Sequence, residues 1–329
     1  MKLKKLAALM LTGAVALTSA SAMAKTYKLA SNVPADGPPG QLLQEFASRV
    51  TEDTDGRVKI KVFANGTLGG QAQYLQQVQS GVIQMGLVNS AMMENIEPKF
   101  GVLNLPYIYR SFDEFKTVMD SDLIQDELFS STADKGFKIV GFLDNGPRSI
   151  YSTKPINSVD DLKGLKLRVM SSPTYIEMLE LMGTAPTPLD FSEIYSALQQ
   201  GMIDGGEGGL GALWEIKFGE HAKYAIKSEQ TRMVDLIVIN DKALSKMKPA
   251  DADTVKRIMK DVTEKSYDVV RDQEAESLKL AQEKLGVKIV EIDKAPLVAS
   301  MAPIYERAME DPDKGPMLKK VFELQGREF

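Results

Sequence analysis

The chain has no cysteine, one histidine and one tryptophan. Disulfide scaffolds, zinc fingers, iron–sulfur clusters and cysteine nucleophiles are therefore excluded. The single His221 lies in a polar stretch beside Glu220 and Lys223 and reads as a surface residue, a poor base for a Ser-His-Asp triad. There is no excess of positive charge: 40 basic residues face 45 acidic ones. A chain this acidic lacks the basic face that nucleic acids or anionic membranes require, so neither is expected as a partner. Internal repeats, low-complexity tracts and linkers rich in Ser, Pro or Gly are also missing, so any two domains must be joined by ordered segments.

What is present is ordinary globular material. The 329 residues are 43% apolar and 26% charged, enough for one large or two medium domains. The first 24 residues read differently. Three lysines within Met1–Lys5 precede an apolar run from Leu6 to about Leu17, and small residues end at Ala22-Met23-Ala24. The run is shorter than the roughly 20 residues of a spanning helix, so it reads as a secretory leader cleaved after Ala24 rather than an anchor. Lys25 follows where a lipoprotein would carry Cys, so a soluble periplasmic protein is expected. Losing the leader's three lysines leaves 37 basic against 45 acidic residues, a formal charge of −8.

From Tyr27 onward short apolar runs alternate with helical periodicity, the pattern of an α/β protein. Strands are expected at 27–30, 57–62, 84–88, 137–143, 165–169 and 233–239. Helices are expected at about 40–51, around Tyr74 to Val78, at 173–182 and at 192–200. Asn145-Gly146-Pro147 should break the fourth strand and mark a crossing between lobes near residue 146. Residues 251–285 contain neither Gly nor Pro and carry apolar residues at helical spacing. They form either one helix of about 50 Å, long enough to touch both lobes, or two helices broken near Ser266 or Asp272.

Two glycine-rich motifs invite a cofactor reading and do not sustain it. Gly206-Glu207-Gly208-Gly209-Leu210-Gly211 fits G-x-G-x-x-G, yet only Met202-Ile203 precede it as strand, so a tight turn before a helix is expected. Gly66–Gly70 lacks the Gly-Lys-Ser/Thr ending of a phosphate loop and reads as a turn. Arg168 is more suggestive, because a guanidinium at the end of a buried strand can hold a carboxylate through two parallel hydrogen bonds. A structural ion pair is the alternative for it, and for Arg148 beside Gly146-Pro147.

Four segments occur in a distinctive order: Asn145-Gly146-Pro147-Arg148, Asp161 to Val169, Pro186 to Gln199, and Ile203-Asp204-Gly205-Gly206-Glu207. Together they resemble the DctP-type substrate-binding proteins of TRAP (tripartite ATP-independent periplasmic) transporters, over essentially the whole chain after residue 24. The resemblance implies a two-lobed, periplasmic-binding-protein-like α/β fold with a ligand cleft between the lobes and a long bridging helix. Lobe I would comprise residues 25–146 and 234–272, and lobe II residues 147–233 and 273–329. Arg168 matches the family's carboxylate-binding arginine and Arg148 a second one that reinforces it. Phe191 matches a pocket aromatic, Glu207 sits in the Asp-Gly-x-Glu segment at the cleft, and Asn89 holds a strand-end position used for polar ligand contact. Gly208 leaves room beside the ligand, and Trp214 would be either pocket wall or core. Sialic-acid binders of the family carry Glu and Arg where this chain has Asn89 and Met92, and Asn-Pro where it has Gly208-Gly209.

The implied function is capture of a small organic acid anion, whether a C4-dicarboxylate, a sugar acid or a 2-oxo or hydroxy acid, and its delivery to TRAP integral-membrane subunits. No cofactor and no metal are called for, and a monomer is expected. Two other classes stay open: a ligand sensor serving a receptor kinase, and a secreted organic-acid enzyme using Glu207 or Asp204 as general base. The enzyme would need a second acid or nucleophile, and the sequence offers none.

Overall fold

The computed structural model describes residues 25–327, so the expected leader and its cleavage site lie outside the described residues. The chain runs β1 (Lys25–Ala30), α1 (Pro38–Asp53), β2 (Val58–Phe63), α2 (Gln71–Ser80), β3 (Met85–Asn89), α3 (Ser90–Met93) and α4 (Phe112–Met119). The 16-residue β4 (Phe137–Ser152) leads to β5 (Lys166–Val169), α5 (Pro173–Leu181), β6 (Ala185–Pro188), α6 (Ile194–Gln199), β7 (Gly205–Gly208) and α7 (Ala212–Glu215). The 17-residue β8 (Tyr224–Asn240) returns the chain to α8 (Asp241–Ser245) and the 37-residue α9 (Pro249–Leu285). It ends with β9 (Lys288–Val290), α10 (Ala295–Ser300), α11 (Ala302–Glu310) and α12 (Lys314–Leu324).

These strands make one mixed sheet in the order β2-β1-β3-β8-β4-β7-β5-β6, with β9 added to β8. The two long strands at its centre explain the two-part architecture. β3 pairs with the end of β8, at 235–239, whereas β7 pairs with the end of β4, at 149–152. Each long strand thus begins in one half and finishes in the other, and the crossing falls where Asp144–Arg148 face Thr231–Val234. Both halves are α/β layers with parallel strands on their outer side. Among the described residues no helix is long and apolar enough to cross a membrane.

The expected break at Asn145-Gly146-Pro147 does not occur; the strand continues through it. A register shift between Asp144 and Gly146 absorbs the irregularity, and Gly146 takes φ +80°, a conformation that favours glycine. Pro147, which has no N–H to donate, is tolerated beside such a bulge. The crossing is pinned by buried Asp144. Its carboxylate pairs with Arg232, whose guanidinium lies 4.9 and 4.8 Å from the Phe112 and Phe115 rings. β8 also starts nine residues before the expected Met233, because the polar stretch Lys227-Ser228-Glu229-Gln230-Thr231 separates its short apolar start, Tyr224-Ala225-Ile226, from the run at 233–239.

α9 is one uninterrupted helix, about 55 Å long at 1.5 Å per residue, passing through both Ser266 and Asp272. Ser266 is buried and stabilises rather than breaks it: its hydroxyl donates to the Thr263 carbonyl and accepts from the Asp144 amide at 3.0 Å. The first part of α9 packs Val255, Ile258, Met259 and Val262 on the core of α1, β1 and β2, and its last turns pack Ala281 against α7. The C-terminal segment departs from the expected lobe II. α12 lays Met317, Leu318, Val321 and Phe322 against residues 98–104 and α4 of the first half, while α11 contacts α5 of the second. Its apolar stripe needs a partner, and the first half's exposed end supplies one.

Candidate ligand-binding cavity

At the crossing lies a cavity of about 200 Å³ walled by both halves and by α9. The C-terminal ends of β3, β5 and β7 meet at it, where Asn89, Arg168, Glu207 and Gly208 form part of its lining. Arg168, on β5, is 4% exposed. Its Nε donates to the Leu189 carbonyl at 3.0 Å, and no carboxylate among the described residues lies within pairing distance of its guanidinium. Burial pulls its pKa below the usual arginine value, a shift that the more distant Tyr151 and Glu207 only partly oppose. A buried guanidinium without an acid facing a cavity is a site for an anion from outside.

Arg148, on β4, is built differently. Its Nε and Nη2 donate to the two carboxylate oxygens of Glu207 at 2.7 and 3.0 Å, and Nη2 also reaches the Glu207 carbonyl at 3.2 Å. Both side chains are nearly inaccessible. Burial alone would depress the Arg148 pKa, but the paired Glu207 carboxylate drives it well above the ordinary value. The pair is therefore electrically closed, with Glu207 committed to Arg148 rather than free to act as a base. Asp204, the other acid considered as a base, is held by Lys154 at 2.7 Å and by the Lys166 amide, away from the cavity lining.

Asn89 ends β3 and caps α3, its Oδ1 accepting from the Met92 amide at 2.7 Å while its backbone amide donates to Gln71. Its side chain therefore reaches the cavity edge in a fixed orientation. Phe191, in the turn after β6, lines the cavity with its ring 6.2 Å from that of Phe218. Gly208 also lines it, with the Arg148 Nη2 3.5 Å from where a Cβ would be. Trp214 does not. On the single turn of α7 the cavity face is taken by Ala212 and Glu215, and Trp214 packs partly buried against the core around Leu210, Leu213 and Phe218, with the Lys217 ammonium 3.6 Å from its ring centre.

The G-x-G-x-x-G stretch is divided: Gly206-Glu207-Gly208 lie in strand β7, and Gly209-Leu210-Gly211 make the expected turn into α7. A Cβ at Gly206 would sit 2.6 Å from the Tyr151 hydroxyl and one at Gly205 only 2.1 Å from the Tyr151 carbonyl, so these glycines let β7 approach β4 closely. His221 is half-buried, edge-on to Tyr195, and is not part of the cavity lining.

The chain shares this architecture with known proteins. The family model for bacterial extracellular solute-binding protein, family 7 (DctP), matches residues 29–311. The chain belongs to that family. Among its relatives is the uncharacterized protein YiiZ of Salmonella typhimurium, 35% identical over 277 residues covering 84% of each chain. A TRAP periplasmic solute-binding protein of Xanthobacter autotrophicus, solved with bound β-D-galacturonate, superposes with a TM-score of 0.85 at 30% identity. The match covers 90% of this chain and 98% of that one. A counterpart from Anaerococcus prevotii with bound D-glucuronate gives 0.87 at 30% identity, covering 92% and 98%. This family 7 chain is thus a TRAP-type solute-binding protein with the two-lobed fold, not an enzyme.

Several cavity groups escaped sequence reasoning. Asp235 lies inside the apolar run Met233–Ile239, and a lone acid in a buried strand is a signal that was available. Burial pushes it up to about 6, opposed by the Asn145 amide, which donates to it at 2.6 Å. Burial likewise raises Glu274 of α9 to about 7, and raises Glu215, whose carboxylate accepts from Ser277 at 2.8 Å. Nothing in the helical pattern of 251–285 distinguishes Glu274 from the helix's many solvated acids. Among the described residues no group of His, Asp and Glu could hold a metal ion.

Proposed function

We propose that the chain is exported to the periplasm, where it captures a hydroxylated sugar acid of the uronate type and presents it to the integral-membrane subunits of a TRAP transporter. One observation carries the reading: Arg168 is the cavity's unmatched buried cation, while Arg148 is already neutralised by Glu207. A single carboxylate satisfies it. The remaining wall offers acceptors, Asn89, Asn145 and Asp235 among them, which suit hydroxyl donors better than a second anion. That balance favours a sugar acid over a C4-dicarboxylate, in keeping with the uronates bound by the structurally similar proteins.

In this account Arg168 grips the carboxylate as a bidentate fork, with Arg148–Glu207 as its rigid backing, Phe191 and Tyr151 as apolar walls and Gly208 leaving space for the ring. Lobe I (25–146 and 234–272) and lobe II (147–233 with most of the chain after 272) close on the ligand by flexing at the β4/β8 crossing. A ligand touching both lobes shifts the population toward the closed form by its preference for that form, and the membrane subunits read the closed form.

The test is a thermal-shift screen of the chain from Lys25 against uronates, C4-dicarboxylates, 2-oxo acids and neutral sugars. Ligand at 100 times its dissociation constant should add about 2.7 kcal/mol of stability. Stabilisation by D-glucuronate or D-galacturonate without response to the neutral sugars is expected. A response confined to neutral or cationic compounds would remove the anion-capture reading.

A further inference from the structure

The charges facing the cavity are unevenly divided, and the imbalance bears on which acids can enter. This bearing rests on Arg168 holding the ligand's carboxylate, as proposed above. The groups that act electrostatically on Arg168 are Tyr151, Glu207, Arg148 and Asp190. Those that act on Glu274 are Arg232, Glu229, Asp144 and Glu215. Backbone register separates the two: Arg168 pairs with Gly206, which faces Tyr151, whereas a Cβ at Gly146, five residues earlier on β4, would lie 3.8 Å from the Glu274 Oε2, so the guanidinium and the Glu274 carboxylate line different stretches of one cavity.

Glu274 is half-buried on the cavity face of α9 and accepts no hydrogen bond from any described residue. Its neighbour Glu215 lines the same end from α7 and is held there by Ser277, one turn along α9. The cations nearby are already committed: Arg232 to Asp144, and Lys227 to Glu291 at 2.8 Å. Opposite them, Arg168 is more than nine-tenths buried, aimed into the cavity and without an acid. The cavity is therefore polar along its length, accepting an anion at one end and refusing one at the other.

We propose that Glu274 is a specificity-determining residue of this cavity, accepting a hydrogen bond from a ligand hydroxyl and repelling a second carboxylate, so that the chain takes hydroxylated monocarboxylates and rejects the matching dicarboxylates. Two free carboxylate oxygens suit the hydroxyl donors of a sugar acid. A dicarboxylate spanning the cavity would set its second charge against Glu274 and Glu215 with no free cation to offset it, and such like-charge contacts are an effective means of rejection.

Acid weakens this discrimination. The groups facing Glu274 are Arg232, Glu229 and Lys227 from β8, Asp144 from β4 and Glu215 from α7. In that setting burial raises Glu274 to about 7, so its charge is lost as pH falls below neutrality, and the repulsion with it.

The test is calorimetric titration of D-galacturonate and of galactarate, its dicarboxylate counterpart, into the wild type, Glu274→Gln and Arg168→Ala, at pH of about 8 and about 5.5, either side of neutrality. The wild type should prefer galacturonate more strongly at the higher pH. In Glu274→Gln the ratio of the two dissociation constants should fall at least about tenfold at the higher pH and lose most of its pH dependence. Glu274→Ala, which keeps no acceptor, should show the same relaxed ratio with weaker galacturonate binding. A ratio unchanged in both Glu274 variants overturns the proposal; if Arg168→Ala still abolishes binding of both acids, the anion site stands without it. Wild-type affinity in Arg168→Ala, or no binding of either probe by the wild type, overturns the underlying reading as well.

Discussion

Replacing Glu207 with Gln isolates the cost of the one fully buried ion pair in the cavity wall. The substitution is nearly isosteric, but it leaves Arg148 as a cation 8% exposed with no opposing charge, its contacts at 2.7 and 3.0 Å to a carboxylate replaced by contact with an uncharged amide oxygen. Removing one partner of a buried pair costs about 3–5 kcal/mol, most of it the penalty of the uncompensated charge. A change of 1 kcal/mol moves the midpoint of a chain this size by roughly 2–4 °C, so a fall on the order of 10 °C is expected. Urea and thermal unfolding of the wild type, Glu207→Gln, Arg148→Met and the Arg148→Met/Glu207→Leu double variant measure the free-energy loss and the midpoint shift. The double variant should be far less destabilised than the sum of the singles, because it removes both charges from the interior. The freed Arg148 should also make the Glu207→Gln variant respond more strongly than the wild type to an added dicarboxylate. If Glu207→Gln is within about 1 kcal/mol of the wild type, in the range of an exposed pair, the pair is not the rigid element described here.

Asp235 offers a pH-linked test. Burial raises its pKa from 3.8 to about 6, so the stability linked to its protonation is fully present below the unfolded value and is lost as pH rises through about 6. Asp235→Asn should remove that loss: its unfolding free energy should exceed the wild type's by up to about 3 kcal/mol near pH 8, with the gain shrinking toward pH 4. A gain independent of pH would contradict the assignment. Gly206→Ala should cost about 1–3 kcal/mol by overpacking, since its Cβ would stand 2.6 Å from the Tyr151 hydroxyl. Tyr151→Phe in the same chain should recover part of that loss, and equal denaturation midpoints for Gly206→Ala and the wild type would refute the close approach of β7 and β4.

How much was legible in the sequence follows from where the physics is local. Strong apolar runs such as 137–143 and the periodic, Gly- and Pro-free stretch 251–285 declared themselves, because burial and helical spacing act within a few residues. The passage of β4 through Asn145-Gly146-Pro147 did not, since the partner strand that holds it together, β8, lies some ninety residues away in sequence. β7 was hidden for the same reason: four residues, three of them glycine, become a strand only because two neighbours close over them. In the cavity, Arg168 was legible as a charge ending a buried strand. The pairing of Arg148 with Glu207 was not, because it depends on the register of β4 against β7. Trp214 could be placed only by knowing which side of a one-turn helix faces the cavity. Glu274 and Asp235 acquire their character from burial alone, and only the latter left a trace in the hydropathy pattern.

The central claim is that a buried, unpaired Arg168 receives the ligand's carboxylate. Isothermal titration of D-galacturonate into the wild type and Arg168→Ala tests it most directly. Loss of one partner of a desolvated, hydrogen-bonded charge pair costs about 3–5 kcal/mol, which corresponds to a weakening of roughly two to four orders of magnitude. Binding by the wild type that falls by that amount in a folded Arg168→Ala chain is the predicted result; equal affinities for the two chains would contradict it.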